Sequence, residues 1–322
     1  MVRVIVIVWC SSALDEKRGK QVAVKKINNF LSSAEMAQRC YRELKLLKAL
    51  KVFSQTTYSK VNPYLAQFVQ AHIQGNDLYI VTEYVPSNLH AVMKDYGEVL
   101  PREVIRRIAH QLLSALCFLH ELGIAHRDLK PENVLINPNT LELQLCDLGL
   151  ARSMKDDMED LTGYVTTRSY RAPEVMLTWR GYGLPMDLWS LGCIFAEMLT
   201  GRVLFPARDN IQHLAMMIDL LGVPPAKCLP FSLNPQLLLM HSNERNILAK
   251  DLREHFGSGD LMVQLIERML KFDPSERITA REALACFEEA VSIKCPELNE
   301  LDLELTLTLA QWREQFLKEV NV

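Results

Sequence analysis

The sequence predicts an α+β fold with two lobes, a small β-rich lobe that carries one main helix and a larger α-helical lobe. Apolar and polar residues alternate before residue 84, as they do in strands. Beyond that point apolar residues recur at helical spacing, and several of these segments stop at a glycine. A ligand would then bind at the junction of the two lobes, where clefts form.

The small lobe is predicted to contain strands around a single helix. The segment Gln21–Ile27 alternates as a strand does. Ser32 followed by Glu35 forms a capping box, which predicts the start of a helix that ends near Leu50. Two further strands are predicted over Leu65–Ile73 and Leu78–Tyr84.

The larger lobe is predicted to be a set of helices. One of them is apolar nearly all round, which indicates a helix that is buried on every side. This is Asp187–Thr200, and Gly201 stops it. The other predicted helices span Pro101–Leu122, Asn210–Leu221, Asp260–Leu270, Thr279–Ala290 and Leu307–Val320.

The composition indicates a globular protein without a general affinity for polyanions. Of 322 residues, 49% are hydrophobic and 23% charged, and the net charge is −3. We therefore expect no nucleic-acid partner and no membrane partner. The eight cysteines contain no CxxC pair, which favours free thiols in a reducing compartment. We therefore expect the protein to be located in the cytoplasm, with the nucleus as a second candidate compartment.

A cluster of polar residues between two apolar runs carries the predicted chemistry. The segment 124–136 reads IAHRDLKPENVLI and contains Asp128, Lys130 and Asn133. A strand-like run over Leu141–Cys146 then leads into Asp147. Two carboxylates and an amide in one cleft suit a hard divalent cation. Mg²⁺ usually binds together with nucleotide phosphates, so the site predicts ATP or GTP.

Two residues of the small lobe complete this hypothesis. Lys25 ends the predicted strand segment VAVK, and Glu43 lies on the helix that follows. A lysine held by a glutamate can neutralise phosphate charge. Asp128 has no adjacent Ser or Cys nucleophile, so its expected role is to orient and deprotonate a hydroxyl.

In this order the motifs resemble those of the eukaryotic protein kinases. They are VAVK at 22–25, Glu43, HRDLKPEN at 126–133, DLG at 147–149, APE at 172–174 and DLWSLG at 187–192. The resemblance spans about residues 10 to 290 and implies the bilobal protein-kinase fold. It implies an N-lobe over 1–84 that is truncated at its start and a C-lobe over 85–290. An extension over 291–322 would pack back toward the N-lobe.

The sequence is most similar to the mitogen-activated protein kinases. Thr162-Gly163-Tyr164, followed by VTTRSYRAPEVML, resembles the dual-phosphorylation lip of their stress-activated branch. The resemblance implies a Ser/Thr kinase that transfers the ATP γ-phosphate to Ser/Thr-Pro sites and is activated by phosphorylation of Thr162 and Tyr164. It also implies protein substrates, an upstream dual-specificity kinase, phosphatases and a monomeric state.

The resemblance assigns roles to residues of the catalytic loop. Asp128 would be the catalytic base, and Lys130 would contact the γ-phosphate. Asn133 and Asp147 would bind Mg²⁺.

It also assigns the nucleotide contacts. Lys25 and Glu43 would form the ion pair of the active state, and Thr82 would be the gatekeeper. Glu83 to Val85 would form the hinge that pairs with adenine, and Asn88 stands at the ribose position.

The same family pattern places arginines around each phosphate of the lip. The residues for phosphorylated Thr162 would be Arg42, Arg127 and Arg152, and those for phosphorylated Tyr164 would be Arg168 and Arg171.

One segment departs from the pattern. Kinases cover the phosphates with a G-x-G-x-x-G hairpin, but its glycine positions fall here on Arg3, Ile5 and Val8. Side chains at these positions obstruct close approach of the backbone to phosphate. Either the chain is a nucleotide-impaired variant or its first segment is truncated or mis-joined. A pseudokinase scaffold is therefore the alternative function.

Other residues have simpler expected roles. Cys146 is more readily a structural cysteine than a reactive thiol. Asp187 is expected to brace the catalytic loop, and Arg277 to pair with Glu174. The acidic tail is either a docking patch for basic peptides or a solvated helix edge, and it contains Glu297, Glu300, Asp302 and Glu304.

Overall fold

The computed structural model of the protein describes residues 8–55, 62–97, 99–154, 168–177, 183–228, 259–287, 305 and 307–320. The first lobe is built on a four-stranded antiparallel sheet with the order β1-β2-β4-β3. Its strands are β1 (Val8–Asp15), β2 (Lys20–Ile27), β3 (Phe68–Gln74) and β4 (Asp77–Glu83).

One long helix accompanies this sheet. Helix α1 (Ala34–Gln55) packs against the turn at Leu148–Leu150, which belongs to the second lobe. Tyr41 and Leu44 are buried on this helix and anchor it in the core. The two lobes therefore meet through α1, and this contact brings its polar residues to the cleft.

The second lobe is mainly helical, with short strands that flank the catalytic segment. The short strands are β5 (Ser87–Asn88), β6 (Ile124–Ala125), β7 (Val134–Ile136), β8 (Leu143–Leu145) and β9 (Arg152–Ser153). The helices are α2 (Leu89–Tyr96), α3 (Arg102–Glu121), α4 (Pro173–Met176), α5 (Pro185–Thr200), α6 (Asn210–Leu221), α7 (Leu261–Met269), α8 (Ala280–Ala285) and α9 (Leu309–Val320).

Helix α5 lies at the centre of this lobe, as its all-round apolar sequence predicts. Residues from Met186 to Leu199 are buried along its whole length. Trp189 stacks on Phe205 with ring centroids 6.0 Å apart, and Gly201 ends the helix in a left-handed conformation. A buried central helix gives its polar side chains fixed positions beneath the catalytic segment.

The last helix returns to the first lobe. Trp312 and Phe316 of α9 are buried against Tyr41 of α1, and Phe316 makes an edge contact with Phe30 at 4.6 Å. Lys45 also pairs with Glu319 at 2.6 Å. Helix α9 therefore packs on both α1 and β3 and supports α1 in its position.

Several predicted boundaries were wrong in detail. The oxygen that caps α1 belongs to Ser33, which accepts from the Met36 amide at 3.1 Å, and not to Ser32. This helix also runs past Leu50 to Gln55. The predicted strand from Leu65 begins at Phe68, because Leu65 instead forms an isolated bridge to Leu145. The helix predicted over Thr279–Ala290 ends at Ala285, so residues 286–287 do not continue it, and residues 288–290 lie outside the described residues.

No helix among the described residues is long and apolar enough to cross a membrane.

Candidate active site

The catalytic segment is held by a buried carboxylate from α5. Asp187 accepts hydrogen bonds from the backbone amides of His126 at 2.8 Å and Arg127 at 2.9 Å. His120 lies 2.9 Å from the same carboxylate through Nε2. Burial alone would raise the pKa of the Asp187 carboxyl group, but these contacts outweigh burial and lower the pKa, so the group stays ionised. The predicted bracing role of Asp187 is confirmed by this geometry.

The bracing explains an unusual backbone conformation. Arg127 has a φ of 69°, which is a left-handed conformation that non-glycine residues rarely adopt. The two amide bonds to Asp187 hold the chain there. Strained backbone of this kind persists where its surroundings determine it, and here it immediately precedes Asp128.

That next residue, Asp128, is fixed by its neighbours in the segment. Lys130 donates to its Oδ2 at 2.7 Å. The amide nitrogen of Asn133 donates to the backbone oxygen of Asp128 at 2.8 Å and to its Oδ2 at 3.1 Å. The three predicted loop residues therefore form one cluster, with a carboxylate whose orientation is set by two donors.

The second half of the site joins the two lobes. Lys25 of β2 donates to both carboxylate oxygens of Glu43 on α1, at 2.7 and 2.8 Å. The same ammonium lies 3.1 Å from Oδ1 of Asp147, just after β8. The predicted ion pair is confirmed, and the sequence did not predict that Asp147 completes it.

The charges of this group are strongly coupled. Burial raises the pKa of Asp147, but Lys25 and then Arg39 outweigh burial and lower it to about 2. Burial would lower the pKa of Lys25, but the carboxylates of Glu43 and Asp147 raise it well above its usual value. Burial raises the pKa of Glu43, and the charge of Lys25 opposes this effect. The group therefore holds one lysine between two carboxyl side chains, of which Asp147 stays ionised.

Arg39 is a site residue that the motifs do not indicate. It lies one turn before Glu43 on α1, and a Cβ on Gly149 would lie only 3.3 Å from its side chain. Its charge acts on Asp147, as described above. The four-residue spacing of Arg39 and Glu43 is the signal that could have found it.

The predicted hinge follows β4. Thr82 lies within this strand and Glu83 ends it, and Val85 follows in the link to β5. Asn88 has a role that we did not predict, because its Oδ1 accepts from the Ala91 amide at 2.9 Å and caps α2. Its position before an apolar helical run is the signal that we overlooked.

A cavity of about 980 Å³ borders the hinge at Glu83 to Pro86 and extends to α3. Its lining residues include neither Asp128 nor Asp147. It is therefore separate from the catalytic cluster.

The predicted regulatory residues fall into two groups. Thr162 and Tyr164 lie outside the described residues. The arginines predicted for Thr162 lie on three neighbouring elements, because β9 pairs with β6 and α1 packs on the Leu148–Leu150 turn. They are Arg42 on α1, Arg127 beside the catalytic residue and Arg152 on β9.

The arginines predicted for Tyr164 lie before α4. Arg168 donates through Nη1 to the backbone oxygen of Arg208. Arg171 is buried. Arg168 therefore contacts the segment that leads into α6.

Two residues have structural roles. Arg277 binds both oxygens of Glu174 at 2.6 Å in a fully buried pair, which confirms the predicted partner. Burial raises the pKa of the Cys146 thiol. The backbone oxygen of Cys146 lies 3.0 Å from Nε2 of His126. A high thiol pKa disfavours nucleophilic chemistry, which agrees with the structural interpretation of Cys146. Over the described ranges, no group of three or more metal-binding side chains is present.

Comparison with known proteins agrees with this geometry. Residues 8–286 match the family described as the protein kinase domain. The chain is 40% identical over 283 residues to mitogen-activated protein kinase HOG1A of Wallemia ichthyophaga, covering 86% of this chain and 72% of that protein. It is 41% identical over 275 residues to HOG1 of Gibberella zeae, covering 85% and 73%. It is also 41% identical over 275 residues to sty1 of Schizosaccharomyces pombe, covering 85% and 74%.

Proposed function

The chain belongs to the protein kinase family and, within it, to the mitogen-activated protein kinases, and from this premise we propose how its site works. It is a Ser/Thr protein kinase. We propose that it transfers the γ-phosphate of ATP to serine or threonine residues followed by proline. Asp128 acts as the base, since its carboxylate is held in a fixed orientation beside the cleft.

The residues present suit ATP with Mg²⁺, which protein kinases use generally. Asp147 stays ionised because of its low pKa, as a metal ligand must. Asn133 commits its amide nitrogen to Asp128, so its amide oxygen is the atom offered to a cation. These two residues would hold Mg²⁺, which when bound offsets the charge of the phosphates.

Lys130 and Lys25 supply the remaining positive charge. Lys130 lies beside the base and would contact the transferred phosphate. Lys25 is oriented by Glu43 for the other phosphates. The hinge from Glu83 to Val85 would bind adenine behind Thr82, and Asn88 retains its amide nitrogen for ribose.

The Lys25–Glu43–Asp147 group is the observation that carries the proposal. It links β2, α1 and the catalytic lobe through contacts of 2.7 to 3.1 Å. A binding scaffold has no physical need for this arrangement together with the Asp128 cluster. We therefore favour the enzyme over a pseudokinase scaffold.

We further propose that phosphorylation of Thr162 and Tyr164 activates the enzyme. A phosphate on Thr162 would be held by Arg42, Arg127 and Arg152, which would tie α1, the catalytic segment and β9 together. The upstream enzyme would be a dual-specificity kinase, and phosphatases would reverse its action. We propose a monomer of the cytoplasm and nucleus.

The domain division follows the same family pattern. We propose an N-lobe over 1–84, a C-lobe over 85–290 and an extension over 291–322. The packing of α9 on α1 supports the placement of the extension against the N-lobe.

The test is phosphate transfer from γ-labelled Mg-ATP to a peptide that contains a single Ser-Pro site. We expect lip-phosphorylated protein to label this peptide and a Thr162→Ala/Tyr164→Phe variant to label it far more weakly. A matched peptide with Ala after the serine checks the proline preference. Absence of labelling by folded, doubly phosphorylated protein would contradict the proposal.

A further inference from the structure

The turn that follows Asp147 contains a glycine at a point where a side chain would press against α1. Gly149 is buried, and a Cβ atom added to it would lie 3.3 Å from both Cγ and Nε of Arg39. Because two carbon atoms pack best at about 3.5–4.0 Å, such a methyl group would push the Arg39 side chain away.

The backbone of Gly149 does not itself require a glycine. This residue is not among the described residues with a positive φ, so its conformation is one that residues with a side chain also adopt. Space is therefore what this position demands, and the contact with Arg39 limits that space.

Arg39 and Asp147 border the same small space. The added Cβ atom would lie 3.4 Å from Oδ1 of Asp147, on which the ammonium of Lys25 already lies at 3.1 Å. Within the described ranges, Asp147 forms its ion pair with Lys25 and none with Arg39. Arg39 therefore meets the turn through its aliphatic stem and Nε.

The conformation of Asp147 needs support from its surroundings. Its φ is 64°, a left-handed conformation that costs energy in a non-glycine residue. Helix α1 packs against the Leu148–Leu150 turn that follows. Arg39 lies on this helix one turn before Glu43, the partner of Lys25. The Arg39 side chain is thus placed to fix the turn relative to the ion pair.

We infer that Arg39 is a positioning residue for the kinase reaction, which packs its aliphatic stem on Gly149 and thereby holds Asp147 in the orientation that binds the metal ion. The inference deepens the proposed function and rests on it, because that function makes Asp147 a ligand of Mg²⁺. Arg39 acts through the turn, as residues around a metal site do when they orient its ligands.

Packing and charge predict opposite effects when Arg39 is removed. A guanidinium group near a metal site repels the cation, so loss of the charge alone would strengthen metal binding. Loss of the packing would weaken metal binding by about tenfold, as for other residues that orient a ligand. Arg39→Met keeps an unbranched stem without the charge, and Arg39→Ala removes both.

The test measures the binding of Mn²⁺, a paramagnetic substitute for Mg²⁺, by EPR on the unphosphorylated full chain saturated with the ATP analogue AMP-PNP. We expect Arg39→Ala to bind Mn²⁺ about tenfold more weakly than the wild type, and Arg39→Met to bind it at least as tightly. Arg202→Ala removes an exposed arginine after α5 and is the matched control, which should bind as the wild type does. Undiminished binding by Arg39→Ala, or equally weak binding by both Arg39 variants, would overturn the inference.

A second arm tests the contact without nucleotide or metal and shows whether each variant is folded. Gly149→Ala should lower the Tm of the otherwise wild-type chain by about 2–4 °C, because the methyl group overpacks against Arg39. In the Arg39→Ala background the same change should leave the Tm unaltered. Equal losses in both backgrounds would overturn the inference, since Gly149 would then be needed for another reason. A failure of the proposed function is distinct, because the wild-type complex itself would then bind no Mn²⁺.

Discussion

The catalytic segment of the second lobe (126–133), here called the floor of the cleft, and strand β1 of the first lobe, here called the roof, differ in how their functional atoms are held. On the floor, Asp128 is fixed by Lys130 and Asn133, and the segment is braced by Asp187. In the roof, β1 pairs with β2 in continuous register from Val8 to Asp15. Its described residues contain no glycine, and its side chains at 10–14 are exposed.

This difference separates two requirements of phosphate transfer. The base needs a side chain in a fixed place, which buried hydrogen bonds provide. Close approach of the backbone to phosphate needs residues without side chains, and no other contact replaces them. We therefore expect the chemical step to be better preserved than the affinity for nucleotide.

The largest expected effect is on the floor. Asp128→Asn keeps the shape of the side chain but removes the base, so we expect kcat to fall by about 10²–10⁴-fold. Steady-state transfer to the Ser-Pro peptide measures this effect. Asp95→Asn, an exposed aspartate on α2, is the matched control and should retain activity. A Asp128→Asn protein with more than a third of wild-type kcat would contradict the assignment of the base.

The support beneath the floor is expected to be the next most sensitive region. Arg277→Met leaves the buried carboxylate of Glu174 without its partner, which should lower the free energy of unfolding by about 3–5 kcal/mol. Urea denaturation measures this. The double variant Arg277→Met/Glu174→Leu should recover much of the loss, and equal instability of both variants would contradict the ion-pair explanation.

The packing behind the roof should be of similar importance. Trp312 is buried against Tyr41, so Trp312→Ala should lower the free energy of unfolding by about 3 kcal/mol. Leu317→Ala lies on the same helix but is exposed, and we expect a change within about 0.5 kcal/mol. Equal effects in urea denaturation would show that α9 does not support α1 through this cluster.

The junction of floor and roof predicts a pH dependence. The pKa of Asp147 is about 2 in the folded protein, compared with 3.8 for an ordinary aspartate. The folded state therefore gains stability that is fully present above about pH 4 and is lost as the pH falls toward 2. The expected size is about 2 kcal/mol. Asp147→Asn should flatten this part of the stability curve, and an unchanged curve would contradict the coupling with Lys25.

The smallest expected effect is the repair of the roof. The triple variant Arg3→Gly/Ile5→Gly/Val8→Gly should lower the KM for Mg-ATP by about tenfold, while kcat changes little. The reason is that glycines allow the backbone to come close to the nucleotide phosphates but do not touch the reacting hydroxyl. The matched alanine triple variant keeps a Cβ at each position and should improve KM much less. Equal improvement in both variants would show that side-chain size, and not backbone freedom, limits binding.

The sequence predicted the elements whose signals are local. Helix α6 begins at Asn210 and ends at Leu221 as predicted, because Asp209 caps it and Gly222 stops it. The motif residues of the floor were also predicted, since their spacing lies within one short segment. The Lys25–Glu43 pair followed from the family resemblance and not from the spacing.

Other features depend on contacts between distant segments. Helix α1 continues to Gln55, beyond the end that we predicted near Leu50. The sequence around Leu50 contains no clear signal that fixes where the helix ends. The contact of Lys25 with Asp147 joins residues 122 positions apart, and the pairing of Trp312 with Tyr41 depends on where α9 docks.

The most direct test of the difference between floor and roof is the initial rate of peptide phosphorylation over a wide range of Mg-ATP concentrations. The protein should be doubly phosphorylated and measured beside a HOG1-type relative. We predict saturable transfer with a kcat comparable to that of the relative and a KM for Mg-ATP that is clearly higher. An equal KM would show that the roof is not impaired, and a rate of zero at every concentration would show that the intact floor is not sufficient for catalysis.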